Sequence, residues 1–338
     1  MVRVKEHRHL DFEMFLASPK TMPSQLLEQL IDAGFVITSN IDEVQQVIHT
    51  TKDRHYSKND HLELTILPTE QCNFRCVYCY ENFKLPRMTK EVQDNIIKFV
   101  EKEIKHRKGL AVGFFGGEPL LAMDVIERLS SAFIRICEFN NKPYSASITT
   151  NGFDLDVPTF EHLRKLRVNH FQVTIDGPKQ IHDNQRVLAS GAPTFDRIFT
   201  NLCSIRDNAS GRMWNIALRT NVTAPMMMYL DEYRNFITSN FGNDRRFLIQ
   251  IRQMWTNDSD EADKLVINEE SYNQFLKTCS SLGFSLAQDY QLSHNLNYIC
   301  YAGKPHAFVI RSNGDAHKCT ALIHIDEKKS DMLHLAEF

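Results

Sequence analysis

The sequence predicts an α/β fold built on parallel strands. Two observations carry that expectation. Six strand-like segments alternate with six helical ones from His61 to about residue 285, and the residues with unusual chemistry fall directly after the strand-like segments. The 338 residues are 42% hydrophobic and 24% charged, the proportions of a soluble globular chain with room for a barrel-sized core. The formal net charge of −3 excludes a global basic field for nucleic acid. No apolar run approaches a membrane span, and the basic N-terminus has no apolar stretch behind it as an export signal would, so the expected location is the cytoplasm.

Residues 1–57 read as a short helical segment. MPSQLLEQLIDAGFVI is amphipathic and stops at Gly34, and IDEVQQVIHTT is a second helix opened by Asn40. The regular part, residues 58–285, begins with HLELTILP, whose alternation and β-branching make a strand. The next helix, 88–108, is capped by Thr89, with Val92, Ile96, Phe99, Val100 and Ile104 on one face. Strands LAVGFF, YSASITT, HFQVTID, WNIALRTNV and RFLIQIRQM follow in turn. They are separated by helices over 124–139, 157–167, 193–208 and 226–241, and a helix over 269–283 closes the run. Such alternation argues for right-handed crossovers in an open doubly wound sheet or a partial (β/α) barrel. In barrels the chemistry sits at the C-terminal ends of the strands.

The chain has 8 cysteines. In a reducing compartment clustered thiols point to metal or redox chemistry rather than disulfides. Cys137, Cys203 and Cys279 lie in helical stretches and read as packing residues. Cys72, Cys76 and Cys79 fit no buried stripe. Their C-x3-C-x2-C spacing brings three thiolates to one face with no fourth ligand close after them. That favours a [4Fe–4S] cluster with one open iron over a closed zinc site.

The same face collects further motifs: FFGGEP after strand 2, TTNG after strand 3, IDGPKQIHD after strand 4, RTNV ending strand 5 and QIRQM ending strand 6. The cysteine triplet after strand 1 together with Gly116-Gly117-Glu118-Pro119 after strand 2 resembles the radical S-adenosylmethionine (SAM) superfamily, over roughly residues 60–285. The resemblance implies a partial (β/α)6 barrel. It implies a [4Fe–4S] cluster on Cys72, Cys76 and Cys79 whose open iron binds SAM, and reductive cleavage of SAM to a 5′-deoxyadenosyl radical that abstracts hydrogen. It places Tyr78 near the adenine, the GGEP backbone and Glu118 at the SAM ammonium, and Thr150 and Asn151 along the SAM site. Asp176 falls near the ribose, Arg186 at the SAM carboxylate, and Arg219 and Asn221 as further contacts.

ILPTEQCNFRCVYCYE and DGPKQIHDNQR look like the enzymes that modify peptides or proteins: ribosomal-peptide maturases such as the thioether-forming ones, and anaerobic sulfatase-maturing enzymes. Residues 286–338 resemble the opening half of a SPASM or twitch domain, with Cys300, Gly314 and Cys319 in its spacing and an Asn-Gly hairpin presenting Cys319. No cysteine follows Cys319, so the extension reads as truncated. Its two thiols make half of a second iron–sulfur site. The expected substrate is a peptide or protein; the leading expectation is thioether or other cross-link formation on a ribosomally made precursor. The alternatives are formylglycine formation and a non-catalytic peptide-binding relative. A one-electron donor such as flavodoxin or ferredoxin is the implied redox partner.

Overall fold

A computed structural model describes residues 24–32, 42, 44–45, 60–211, 213–254, 264–281, 300–323 and 333–334. The chain divides into two compact units, Met1–Lys58 and Asn59–Phe338. In the first, α1 (Ser24–Asp32) is the amphipathic helix expected there. The second predicted helix lies outside the described residues apart from 42, 44 and 45.

The second unit is organised by six parallel strands: β1 (His61–Ile66), β3 (Gly109–Phe114), β4 (Tyr144–Thr150), β5 (Val168–Thr174), β7 (Asn215–Val222) and β8 (Phe247–Gln253). They pair in sequence order, each with the next. The connecting helices are α2 (Lys90–Glu103), α3 (Met123–Phe139), α4 (Val157–Lys165), α6 (Phe195–Asn208) and α7 (Leu230–Phe241), with α8 (Glu269–Ser281) after β8. Sequential order with helical crossovers is the arrangement of a partial barrel, and among the described residues β8 is the last strand at that edge. Thr89 caps α2 as the sequence predicts, accepting from the Val92 N–H at 3.3 Å, a contact worth about 1 kcal/mol.

Strand alternation decides which face the site uses. Leu62, Leu64, Ile66, Leu110, Val112 and Phe114 are buried in the core with the helices. The intervening residues Glu63, Thr65, Ala111 and Gly113, like Ser147, Thr149 and Gln172 on β4 and β5, are only partly buried. Parallel strands are usually apolar on both faces. Here the second face carries small and polar side chains, which leaves space along it.

The sheet does not stop at β1. β9 (Ala307–Ile310) pairs in parallel with β1, Leu64 beside Phe308 and Ile66 beside Ile310. β10 (Asp315–His317) returns antiparallel to β9, and β11 (Leu333–His334) pairs with β10. The Asn313-Gly314 turn forms as expected: Gly314 sits at φ +95°, and the Gly314 N–H donates to the Arg311 carbonyl at 3.0 Å. Arg311, just after β9, makes a two-point ion pair with Glu70, two residues before the first cysteine of the triplet. Nε meets Oε1 at 2.8 Å and Nη2 meets Oε2 at 2.9 Å, with both side chains buried. Among the described residues no helix is long and apolar enough to cross a membrane.

Removing one partner of a buried pair strands the other charge. Arg311→Met is expected to lower unfolding stability by about 3 kcal/mol. Glu70→Gln added to it should recover part of that loss, read as guanidinium-unfolding midpoints of the two variants.

Candidate functional site

The cysteine loop has little internal structure, and other segments hold it. β2 (Phe74–Cys76) forms a short antiparallel pair with β6 (Arg186–Leu188), Cys76 beside Arg186. The Val77 N–H donates to the Gln185 carbonyl at 3.0 Å, and the Ala189 N–H to the Asn73 carbonyl at 2.7 Å. The segment after β5, read from sequence as a loop, therefore contains a seven-residue helix, α5 (Lys179–Gln185), followed by the strand that clamps the cysteines. Inside the loop the Cys79 N–H closes a turn on the Cys76 carbonyl at 3.1 Å, and the Phe74 N–H donates to Cys72 Sγ at 3.3 Å.

A cavity of about 360 Å³ opens over the loop. Of the residues singled out in the sequence, Cys72, Cys76, Cys79, Tyr78, Gly116, Gly117, Thr150, Asn151, Arg186, Arg219 and Asn221 all line it. They come from the ends of different strands, as chemistry at one mouth of a partial barrel requires. Burial pushes the Cys72 and Cys79 thiols up to about 12, and raises Cys76 as well. Such thiols stay protonated near neutrality until a cation draws off their protons, so cation binding would release protons. Among the described residues no group of three or more His, Cys, Asp or Glu side chains is arranged to hold a single metal ion. An iron–sulfur cluster instead spreads its thiolates over separate irons, and three thiols on one cavity fit that demand.

The glycine pair does its work against the loop. Gly116 stands at φ +112°, and a Cβ there would press on the Thr69 carbonyl; a Cβ on Gly117 would overlap the Gln71 carbonyl. With no side chains in the way, the Gly117 N–H reaches Thr69 O at 3.3 Å and the Glu118 N–H reaches Gln71 O at 2.9 Å. Glu118 follows the glycine pair and turns inward. Its carboxylate is buried beneath the cavity, not lining it. It accepts from the Leu120 N–H at 3.0 Å, the Thr150 hydroxyl at 2.7 Å and the Asn151 N–H at 2.7 Å. Burial pushes its carboxyl up to about 7 while these donors hold it down. The physical reason for the inward turn is local: Glu118 caps the short 3₁₀ turn that Pro119 begins. Pro119 is likewise buried and outside the lining.

Asp176 also lies under the site. It accepts the Tyr78 hydroxyl on one oxygen and the Asn221 N–H on the other, the latter at 2.8 Å. Tyr78 in turn accepts from Arg186 at 2.7 Å and from Asn221 Nδ2 at 3.1 Å. Arg219 Nε donates to Asn221 Oδ1 at 3.0 Å. His182 holds this arrangement from behind. Its Nδ1 accepts the Asp176 N–H at 3.3 Å, and its Nε2 lies 3.1 Å from the Thr194 hydroxyl, which donates to the Arg186 carbonyl at 2.5 Å. Because that hydroxyl is already donating, Nε2 is the protonated nitrogen of a neutral ring.

Sequence reasoning missed Phe74, Tyr80, Glu81, Gln172, Thr174, Thr320 and Ala321 in the lining. Gln172 and Thr174 were within reach of a period-two reading of HFQVTID, which puts both on the polar face. Thr320 and Ala321 follow Cys319, so the hairpin does deliver its end to this cavity. Cys319 is partly buried, with the Tyr301 hydroxyl 3.9 Å from its sulfur, while Cys300 is exposed. Cys137 is buried and Cys203 packs against the core, as packing residues do; the Cys279 side chain lies outside the described residues.

Comparison with known proteins adds the following. Residues 66–231 match the model of the Radical SAM superfamily. The chain is 27% identical over 295 residues to a cysteine-type anaerobic sulfatase-maturating enzyme of Clostridium novyi (strain NT), covering 79% of this chain and 75% of that one. It is 23% identical over 217 residues to the radical SAM cyclopropyl synthase TigE of Paramaledivibacter caminithermalis, covering 58% of this chain but only 44% of the relative's length. Among solved structures, native anSMEcpe with bound AdoMet and Cp18Cys peptide superposes with a TM-score of 0.66 at 20% identity, covering 77% of this chain and 74% of that one. At that identity the likeness is one of fold.

Burial holds His182 well below its ordinary value, and Arg186 adds to the effect. The folded state then takes up this proton only at a pH below the point where the unfolded chain does, so stability is lost as pH falls below about 6.5. The slope contributed by this ring is at most about 1.4 kcal/mol per pH unit. Urea unfolding of wild type and His182→Gln at several pH values between neutrality and mild acid checks this. The substitution should flatten the acid-side decline.

Proposed function

With residues 66–231 forming a radical SAM domain, we propose that this chain is an enzyme that holds a [4Fe–4S] cluster on Cys72, Cys76 and Cys79, binds SAM beside it and modifies a peptide. The observation that carries the reading is the shared cavity: three partly buried thiols and the Gly116-Gly117 backbone face the same space as Thr150, Asn151 and Arg186. When bound, the cluster and SAM supply a 5′-deoxyadenosyl radical that abstracts hydrogen from the substrate.

This chain's own residues bind, orient and shield. The β2–β6 pair and the two glycines fix where the thiols stand. Arg186 stands beside Cys76 with its Nε buried and without a hydrogen-bond partner, a donor suited to the SAM carboxylate. Thr150 and Asn151 present the rim above Glu118, and Glu118 acts through them as a positioning residue. Asp176 likewise positions Tyr78 and Asn221. The apolar core behind the sheet keeps water away from that side.

A peptide substrate is supported by the resemblance of the cysteine segment to peptide maturases and by the kinship with a sulfatase-maturating enzyme. Within that class the leading product is a thioether or other cross-link on a ribosomally made precursor. Formylglycine formation is the second reading, favoured by the 75% of the Clostridium novyi relative that the alignment covers. Mass spectrometry separates them, since a cross-link removes two hydrogens only, whereas formylglycine formation from cysteine removes two hydrogens and also replaces sulfur by oxygen. Cys300 and Cys319 supply two thiols, half of a further cluster. A one-electron donor of the flavodoxin or ferredoxin kind completes the reaction.

Anaerobic reconstitution tests the proposal. The expected result is about four iron and four sulfide per chain, with 5′-deoxyadenosine formed from SAM and dithionite. A content near eight iron would assign a second cluster to the C-terminal cysteines. Replacing Cys72, Cys76 and Cys79 together by Ala should remove both the iron and the 5′-deoxyadenosine. A wild-type preparation that takes up no iron, or never yields 5′-deoxyadenosine, contradicts the reading.

A further inference from the structure

The polar face of the sheet carries groups that the cofactor reading leaves unused. Thr149 on β4 stands beside Gln172 on β5, and Gln172 stands beside Ala217 on β7, two residues before Arg219. Thr149 and Gln172 are half-buried between buried neighbours, Ile148 and Thr150 on one strand, Phe171 and Val173 on the other. Alternation therefore puts both on the face away from the core. Ala217 is too short to cover the Gln172 amide. Thr149, Gln172 and Arg219 all line the cavity.

Among the described residues the Gln172 amide and the Thr149 hydroxyl make no hydrogen bond. Arg219 makes one, from Nε to Asn221 Oδ1, which leaves its terminal nitrogens unoccupied. A primary amide presents a donor and an acceptor on one edge, and the main chain of a peptide residue presents the complementary pair. A carboxylate would instead set an oxygen against the Gln172 oxygen, and an ammonium would stand against Arg219. Gln172 and Arg219 are diagonal neighbours on adjacent strands, a relation that separates side chains by about 7–8 Å. Main-chain groups on one side of an extended peptide recur every two residues, about 6.8 Å. The two side chains are thus spaced for successive contacts along one extended chain. With the SAM carboxylate given to Arg186, beside Cys76, Arg219 is left for the substrate.

We propose that Gln172 and Arg219 bind the substrate by its main chain: the Gln172 amide pairs with the N–H and C=O of one residue, and the Arg219 guanidinium takes the carbonyl two residues along. Thr149 supplies a further hydroxyl beside the amide. This rests on the peptide-modifying reading above and adds what the site recognises, a peptide backbone held extended along the polar face.

The test uses the reconstituted full chain with SAM under anaerobic conditions. The probe is a pooled library of capped, cysteine-containing hexapeptides. Each sequence is present in its all-amide form and in forms with one main-chain N–H replaced by an ester oxygen, taken at each position in turn. Protein-retained members are identified by ultrafiltration and mass spectrometry. At one position or more, wild type is expected to favour amide over ester by about tenfold, because the ester leaves the Gln172 oxygen without its donor. Gln172→Met, which keeps the length of the side chain without its polar groups, should remove that difference at one such position. Gln172→Glu keeps an acceptor oxygen and should preserve it; this is the informative variant if Gln172→Met does not fold, and loss of the difference in it overturns the proposal. Equal retention of amide and ester forms by wild type at every position also overturns it. So does an amide preference that Gln172→Met leaves unchanged at every position, because another group then supplies the acceptor. Peptide-free 5′-deoxyadenosine formation by wild type is measured alongside. Its absence removes the radical reading and this proposal with it, whereas equal retention with that activity present defeats this proposal alone.

Discussion

One phenol hydroxyl, that of Tyr78, accepts hydrogen bonds from Arg186 and Asn221 and donates its own proton to Asp176. It belongs to the cysteine loop, and its partners come from β6, β7 and the end of β5. A short loop with three partly buried thiols has too few contacts of its own to keep a shape, so its shape must be imposed by other strands. The Tyr78 cluster does that on one side and the β2–β6 pair on the adjoining one. Buried polar networks are costly unless every member is satisfied. Here the hydroxyl uses both its donor and its acceptor capacity, and both Asp176 oxygens are occupied. The site thereby trades freedom for a defined placement of Cys76 and Cys79 on either side of Tyr78.

The other side of the loop is held by backbone contact and charge. Gly116 and Gly117 let the turn after β3 lie directly on Thr69–Gln71, and Glu118 ties that turn to Thr150 and Asn151. Glu70 reaches in the opposite direction to Arg311, which couples the start of the cysteine loop to the C-terminal hairpin. The same hairpin brings Thr320 and Ala321 to the cavity wall. Residues far apart in the chain thus share the task of placing three sulfurs, and the polar face of the sheet leaves room in front of them.

Much of this was legible in the residues. Alternating strands and periodic helices specify the parallel core, because period two and period 3.6 are local properties. The cysteine spacing and the motifs after successive strands mark the mouth, and the cavity there collects most of the residues so marked. What escaped was pairing across long separations. Arg186 and Tyr78 are 108 residues apart, and Arg311 and Glu70 are 241 apart. No local pattern announces either contact. The β6 strand was hidden for a related reason, since three residues carry no measurable periodicity. The internal bonds of Glu118 were out of reach too, because a carboxylate after two glycines suits an external ammonium as readily as an internal cap. Its actual donors, Thr150 and Asn151, could be identified only once β3 and β4 were paired.

The account stands on three thiols holding a cluster whose remaining iron is open to SAM. Low-temperature electron paramagnetic resonance of the reconstituted, dithionite-reduced protein addresses this directly, because a cluster with an open iron changes its spectrum when that iron gains a ligand. The account predicts a reduced-cluster signal that shifts on addition of SAM and is lost when Cys72, Cys76 and Cys79 are replaced. A signal identical with and without SAM, or one that persists without the three cysteines, would contradict it.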